Sequence, residues 1–398
     1  MSPLGSFDRA RAYAGTPPEA LEAAARERLA GTLGPSSQPV ASAFAPAALN
    51  LISDHTHYSN GFALLIPVVQ GTAVALRRTE HRTGRVVIEE ESTVYPLDDG
   101  QDVPAWVQVV AATMAAMDGG GEAVDVAIVS TVPSSTFDAF LAALALATAR
   151  AVMAHQEAHK APGRRNKQLV ARLPALRQQI AACTGLPFSI APLIGSARAQ
   201  PGDPFTLVDT ATREQLPVET AARDALAWRL IDPQVAPRDV AFHRRRRDQA
   251  DEAIDLLQRR AFPELRSFRE LEHQDIPRAM EALPARLTSV ARHLVTDNRR
   301  VQKMVAALRR SDWQMVGALL LMSHASRRDA WQGTSAEADF LVEHVEATTL
   351  EGIYGACMTG RGGAVVVVGQ PRAFPRGFDR LTAAFDERFG RPPRTMPL

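Results

Sequence analysis

The chain has 398 residues, with 45 Lys and Arg against 44 Asp and Glu, so its net charge is only +1. That balance excludes a global electrostatic pull toward nucleic acid or an anionic membrane. The length suits two domains of about 200 residues each. Two cysteines, Cys183 and Cys357, exclude a disulfide framework and read as buried thiols. No uncharged apolar run reaches the roughly 18 residues of a membrane span, because Phe140 to Ala154 is interrupted by Arg150. With no basic-then-apolar leader pattern at the N-terminus, the expectation is a cytoplasmic protein handling a small molecule, with neither nucleic-acid nor membrane partners.

In chain order, Pro17 to Ala30 is an Ala/Glu/Arg-rich helix followed by a Gly-Pro-Ser-Ser linker. Gly61 to Val69 and Thr72 to Arg77 read as two strands with Gly71 at the turn, and Arg85 to Ser92 as a third. Pro104 to Met117 is helical with proline in the first turn, ended by Gly119-Gly120-Gly121. Val124 to Val132 is a strand rich in β-branched residues, Phe137 to Ala158 a long helix, and Ala175 to Thr184 a further helix stopped by Gly185 and Pro187. The Pro/Gly-rich Gln200 to Pro204 marks a seam between domains 1–200 and 201–398. Beyond it, helices are expected over Thr220–Leu230, Arg246–Arg260, Pro284–Val295, Asn298–Arg309, Asp312–Arg327 and Phe378–Phe389, with a buried strand at Ala364–Gly369. Strands and helices mixed without regular βαβ alternation indicate an α+β fold.

The run Ala45-Pro46-Ala47-Ala48-Leu49-Asn50-Leu51-Ile52-Ser53-Asp54-His55-Thr56-His57-Tyr58 resembles the first galactokinase signature, A-P-G-R-V-N-L-I-G-E-H-T-D-Y. Gly61-Phe62 and Gly71-Thr72-Ala73-Val74-Ala75 keep that family's spacing. Arg292 to Asn298 is similar to R-H-V-V-T-E-N, Ser323 to Asp329 to S-H-A-S-L-R-D, and Gly355 to Gly360 to the start of the third signature. The landmarks occur in family order from about residue 40 to residue 370. The resemblance implies a two-domain α+β fold of the GHMP kinase superfamily with the ligand site between the domains.

The departures fall on the chemistry. Phosphoryl transfer relies on positioning and on neutralising phosphate charge with backbone N–H groups, Mg²⁺ and cations. After Val132-Pro133 the family pattern V-G-A-G-L-S-S-S-A-A-L-E becomes Ser134-Ser135-Thr136-Phe137-Asp138-Ala139-Phe140-Leu141-Ala142-Ala143-Leu144-Ala145, with every glycine gone. The positions that serve Mg²⁺ in such kinases are Leu141 and Ala145. Asp138 opens the following helix as a helix-favouring carboxylate that repels a triphosphate. In register after Gly185-Leu186-Pro187, Pro192 stands at the catalytic aspartate, Ala48 stands at the signature-one arginine, and the third signature is shortened to Met358-Thr359-Gly360-Arg361-Gly362-Gly363. Neither ATP nor Mg²⁺ is therefore expected, and no cofactor is assigned.

On the sugar side, Asp54, His55, His57 and Tyr58 occupy the E-H-T-D-Y positions and His243 the place of the Y-N-E-R-R tyrosine. These five are the expected contacts to a sugar-like ligand. His57 and His243 are the candidate catalytic residues for acid–base work near neutral pH. A metal held by His55, His57, His243 and Asp54 is chemically admissible, as is simple hydrogen bonding to a ligand, and no metal is assigned. Three functions stay open: a repurposed non-kinase enzyme, a metabolite-binding pseudokinase, and a kinase with a rebuilt ATP site. Arg244 to Arg247 reads as a solvated helix face answered by Asp248, Asp251, Glu252 and Asp255. Arg164-Arg165 with Lys160 and Lys167 reads as an exposed loop, His293 and His324 as structural, and His155/His159 as a pair lacking a third metal ligand.

Overall fold

The computed structural model describes residues 16–89, 93–97, 103–117, 122–157, 165–199, 203–236, 238–348 and 352–398. The chain divides into two compact units, one of residues 1–48 with 67–203 and the other of 49–66 with 204–398. The split near residue 203 lies close to the seam expected from the sequence. Residues 49–66, expected in the first domain, group with the second unit.

The first unit holds α1 (Pro18–Leu33), most of β1 (Ala41–Ile52), the later part of β2 (Phe62–Arg78), β3 (Arg85–Ile88), β4 (Tyr95–Pro96), α2 (Ala105–Ala116), β5 (Val124–Ser130), α3 (Asp138–Glu157), α4 (Arg165–Thr184) and α5 (Ala191–Arg198). Its strands run in the order β4-β3-β5-β2, with β3 and β5 parallel and the other pairs antiparallel. Leu21, Ala25, Leu29 and Leu33 recur every four residues, so α1 lays one apolar stripe on Ala73, Ala75, Val87, Ala127 and Val129 of the sheet. By length and composition α3 could cross a membrane, but 78% of its apolar stretch is buried within the fold. Arg150, the charge that breaks the stretch, donates to the carbonyls of Phe44 (2.8 Å) and Ala197 (2.9 Å).

β2 is one strand, where the sequence suggested two strands and a turn at Gly71. Gly71 serves close approach instead, since a Cβ there would collide with the Phe44 ring and the Ala45 carbonyl. Gly71→Ala is expected to cost roughly 1–3 kcal/mol through overpacking, read as a lower urea midpoint at unchanged slope. A neutral effect would show that Phe44 moves aside freely. The triglycine 119–121, the end of the expected strand at 90–92, and Lys160, Arg164 and His159 lie outside the described residues. Arg165 and Lys167 belong to α4, not to a loop.

The second unit continues with β6 (Phe205–Asp209), β7 (Gln215–Val218), α6 (Ala222–Ala225), β8 (Ala227–Asp232), α7 (Val240–Arg260), α8 (Ile276–Ala282), α9 (Ala285–Arg309), α10 (Trp313–Ser326), α11 (Ala336–Thr348), β9 (Ile353–Met358), β10 (Val365–Gly369), α12 (Phe374–Phe389) and β11 (Arg394–Pro397). Phe62–Leu65 of β2 pairs with β6, which pairs with β7. A second sheet runs β11-β8-β10-β9, all antiparallel.

Two expectations are corrected here. Thr220–Leu230 is not one helix: after the short α6 the chain extends into β8, where Trp228, Leu230 and Ile231 are buried and register with β10 and β11. The segments 284–295 and 298–309 are a single helix. The polar Asp297 and Asn298 between them are buried and bonded: Asp297 takes Ser323 (2.7 Å) and Arg300 (3.1 Å), and Asn298 accepts from the Phe62 N–H (2.8 Å).

Candidate ligand site

The ligand turn starts where β1 ends. Ser53 has φ +79°, so this position, a glycine in the signature it resembles, keeps a left-handed backbone despite its side chain. Thr56 ties the turn by bonding the Ser53 hydroxyl (2.5 Å) and donating to the Phe62 carbonyl (2.9 Å). His57 and Tyr58 sit in the short 3₁₀ turn Thr56–Ser59, and the Tyr58 side chain lies outside the described residues. His57 is half-buried, with Nδ1 3.0 Å from the Asp54 carbonyl oxygen. A carbonyl only accepts, so Nδ1 carries a proton, and a neutral His57 would have its lone pair on Nε2.

Asp54 is held inside the protein. Its Oδ1 accepts from Asn50 Nδ2 (2.7 Å) and its Oδ2 from Arg327. Arg327 also donates to the carbonyls of Met358 (3.0 Å) and Gly360. Asp54, expected to contact a ligand, is bonded by a buried guanidinium at one oxygen and by an amide at the other. The cavity bounded by Asp54, His55, His293, Asp297, Arg327 and Cys357 has only about 10 Å³, room for about one water.

Of the histidines expected together, His55 and His243 are neighbours, and His293, expected as structural, joins them as a buried ring. His55 stacks on Trp331 at 4.6 Å between centroids and lies 6.1 Å from His243 and 6.4 Å from His293. All three are about 1% exposed. Burial, with Arg361, Arg327 and Arg238 nearby, pushes His243 down to about 2. Burial also lowers His293 to about 4, and His55 falls well below its usual value through burial and then Arg327. His243 is thus a buried ring whose charged form is disfavoured. Both His243 nitrogens lack a hydrogen-bond partner. Among the described residues, no three His, Cys, Asp or Glu side chains are grouped to hold a metal ion. His324 is structural, as expected: Nδ1 accepts from the Met358 N–H (3.2 Å) and Nε2 meets Asp339 (3.1 Å). His155 lies 3.4 Å from Glu122.

In the first unit, the segment corresponding to the phosphate loop is closed on itself. The N–H of Thr136 donates to Pro133 (3.1 Å), that of Phe137 to Ser134 (3.0 Å), and the Thr136 hydroxyl to Pro133 (2.7 Å). Phe137 stands at a family glycine and keeps φ +45° with its ring fully buried. Leu141 and Ala145 are fully buried apolar residues of α3, and Ala48 is likewise buried. Pro192 is buried at the start of α5. Two N–H groups of this loop, those of Thr136 and Phe137, are thus bonded within it, and Asp138 lies in the first turn of α3.

Sequence reasoning missed Arg327 and Trp331. Arg327 was legible as an arginine at the leucine of S-H-A-S-L-R-D, but its partner Asp54 is 273 residues away. Trp331 closes a π-helical turn, Arg327–Trp331, that no local pattern announces.

Comparison with known proteins agrees with this architecture. The family described as the galactokinase galactose-binding signature matches residues 33–78. A galactokinase of Thermotoga neapolitana is 27% identical over 361 residues, covering 87% of this chain and 94% of that protein. One of Streptomyces coelicolor is 28% identical over 385 residues, covering 91% and 94%. Lactococcus lactis galactokinase, solved in complex with galactose, superposes with a TM-score of 0.79 at 21% identity, over 95% of this chain and 97% of that one. Methanococcus jannaschii mevalonate kinase gives 0.59 at 9% identity, over 91% and 98%. The fold is that of the GHMP kinases. In sequence and in fold the chain is galactokinase-like.

Proposed function

We propose that this galactokinase-like chain binds a small, polar, sugar-like metabolite without transferring phosphate to it, acting as a pseudokinase. The observation that carries the reading is the closed phosphate segment, with the buried Phe137 ring at a glycine position and loop N–H groups bonded internally. Pro192 in place of a carboxylate and Ala48 in place of an arginine point the same way. The sugar-like class of ligand is drawn from the galactose complex of the Lactococcus lactis neighbour and from the signature match over the His55–Tyr58 turn. Since Asp54 is bonded to Arg327 and His57 replaces an aspartate, a sugar other than galactose fits this turn better.

The test is calorimetric and enzymatic. ATP with Mg²⁺ is expected to leave the melting temperature unchanged and to yield no ADP above background across a panel of hexoses, aminosugars and sugar acids. At least one member of that panel is expected to bind saturably. Sugar-dependent ADP formation would overturn the reading. A second reading, turnover of a non-phosphorylated substrate, draws on His57 alone, which in its neutral form has its lone pair on Nε2. Substrate loss in the wild type that disappears in His57→Gln would favour it.

A further inference from the structure

The first turns of α7 carry a concentration of positive charge that the fold does not answer. Phe242, nearly buried, has three guanidinium groups over its ring: Arg238 at 5.3 Å, Arg246 at 5.5 Å and Arg245 at 5.8 Å from the centroid. Each lies within cation–π range, and Arg245 and Arg238 both act electrostatically on Arg246. Among the described residues, none of the three has a carboxylate within ion-pair distance. Arg238 donates to the Thr334 carbonyl (3.3 and 3.1 Å). Arg246, only 7% exposed, donates to the amide oxygens of Gln249 (3.0 Å) and Gln332 (2.5 Å), and its Nε has no partner. Of the nearby carboxylates, Asp251 pairs with Arg247 (2.7 Å) and Asp54 with Arg327, while Asp239 caps α7 by accepting from the Phe242 N–H (2.6 Å) and keeps its charge without forming an ion pair to the cluster. The expected solvated, self-neutralised helix face is therefore found at Arg247 but not at Arg246.

A desolvated cation without a counter-charge is costly, and neighbouring cations add to the cost. Neutral amides satisfy donors but do not cancel charge. The charges that act on Arg246 are those of Arg245 and Arg238, and those that act on the buried, unpartnered His243 are Arg361, Arg327 and Arg238, all cationic. Through His243, 6.1 Å from His55, the cluster adjoins the ligand turn.

We propose that Arg238, Arg245 and Arg246 form an oxyanion site at the start of α7, taking one phosphate or carboxylate group of a small ligand. Guanidinium forks bind either group in paired hydrogen bonds, and convergence on a single ring limits the site to one anionic group. Because the probes below are bare ions or simple acids, the outcome is separate from whether a sugar-like ligand binds or phosphate is transferred.

The experiment is titration calorimetry of the full chain with inorganic phosphate and, separately, with gluconate, at fixed ionic strength. Saturable one-to-one binding with a Kd below about 1 mM is expected for at least one of them. Phosphate alone assigns a phosphoester ligand, and gluconate alone an acid. Arg245→Gln and Arg238→Gln, both at exposed positions, are each expected to weaken binding about tenfold or more, while Arg247→Gln leaves it unchanged. Arg246→Gln is read only if circular dichroism shows a native fold, and then abolishes binding. No saturable binding of either probe, or binding that Arg245→Gln and Arg238→Gln both leave unaltered, overturns the site.

Discussion

Arg327→Leu, which installs the residue of the galactokinase pattern, is expected to destabilise the protein by about 3–5 kcal/mol, the cost of stranding a buried carboxylate. The change removes the ion pair to Asp54 and two donors to the Met358 and Gly360 carbonyls. Asp54 is then left with its Asn50 bond on one oxygen and a severed ion pair on the other. For a unit of about 200 residues this corresponds to a fall of roughly 10 °C in Tm. Asp54→Asn alone is expected to cost a similar amount, because it leaves Arg327 as the uncompensated buried charge. The double variant is expected to recover about half of the summed loss or more, since neither charge then lacks its partner. Chemical denaturation of the four proteins measures the coupling. Strict additivity would show that Arg327 is held by the two carbonyls and not by Asp54.

Stability is expected to fall steeply between pH 6.5 and 5, before carboxylates begin to titrate. His55, His243 and His293 are neutral when folded, with His243 at about 2 and His293 at about 4. In the unfolded chain each returns to about 6.5. Below that value the unfolded state binds protons the folded state refuses, so the stabilising contribution is complete above pH 7. It is lost progressively as pH falls toward each folded value. Each imidazole contributes up to about 1.4 kcal/mol per pH unit, and the three together about 4. The urea midpoint followed from pH 7.5 to 5 measures the slope, and His243→Gln should reduce it by one proton's worth. A flat profile would mean the three rings take up protons in the folded state, and hence that the cluster is open to water.

The galactokinase-like fold was legible in the sequence because its landmarks are local: a β-strand and turn signature, helix faces, glycine turns. Buried strands and the long apolar helix α3 follow from composition and periodicity alone. Where sequence reasoning failed, an element's form depended on what it packs against. Thr220–Leu230 has helix-compatible residues, yet β8 pairs on both edges with β10 and β11, and those partners lie more than 130 residues away. Gly71 looks like a turn until the Phe44 ring is placed beside it.

The site divides the same way. Ala48, Leu141, Ala145 and Pro192 were legible as departures from the galactokinase pattern because each is a single position read by register. The histidines were found too, but their protonation was not, because a pKa is set by burial and by charges from distant segments. The backbone at Ser53 and Phe137 makes the point directly. Both positions lost the glycine that favours a positive φ, yet both retain it, at +79° and +45°. The amino acids alone would put these residues in an extended or helical well; packing around them holds a positive φ instead, at a cost of about 1–3 kcal/mol each. Sequence by itself determined the galactokinase-like resemblance and the proximity of His55 to His243. Only the tertiary structure decided that Asp54 answers Arg327, that the histidines are neutral and sealed, and that Arg238, Arg245 and Arg246 share one ring without a counter-charge. Charge pairing and desolvation act through space, between residues that the chain order keeps far apart.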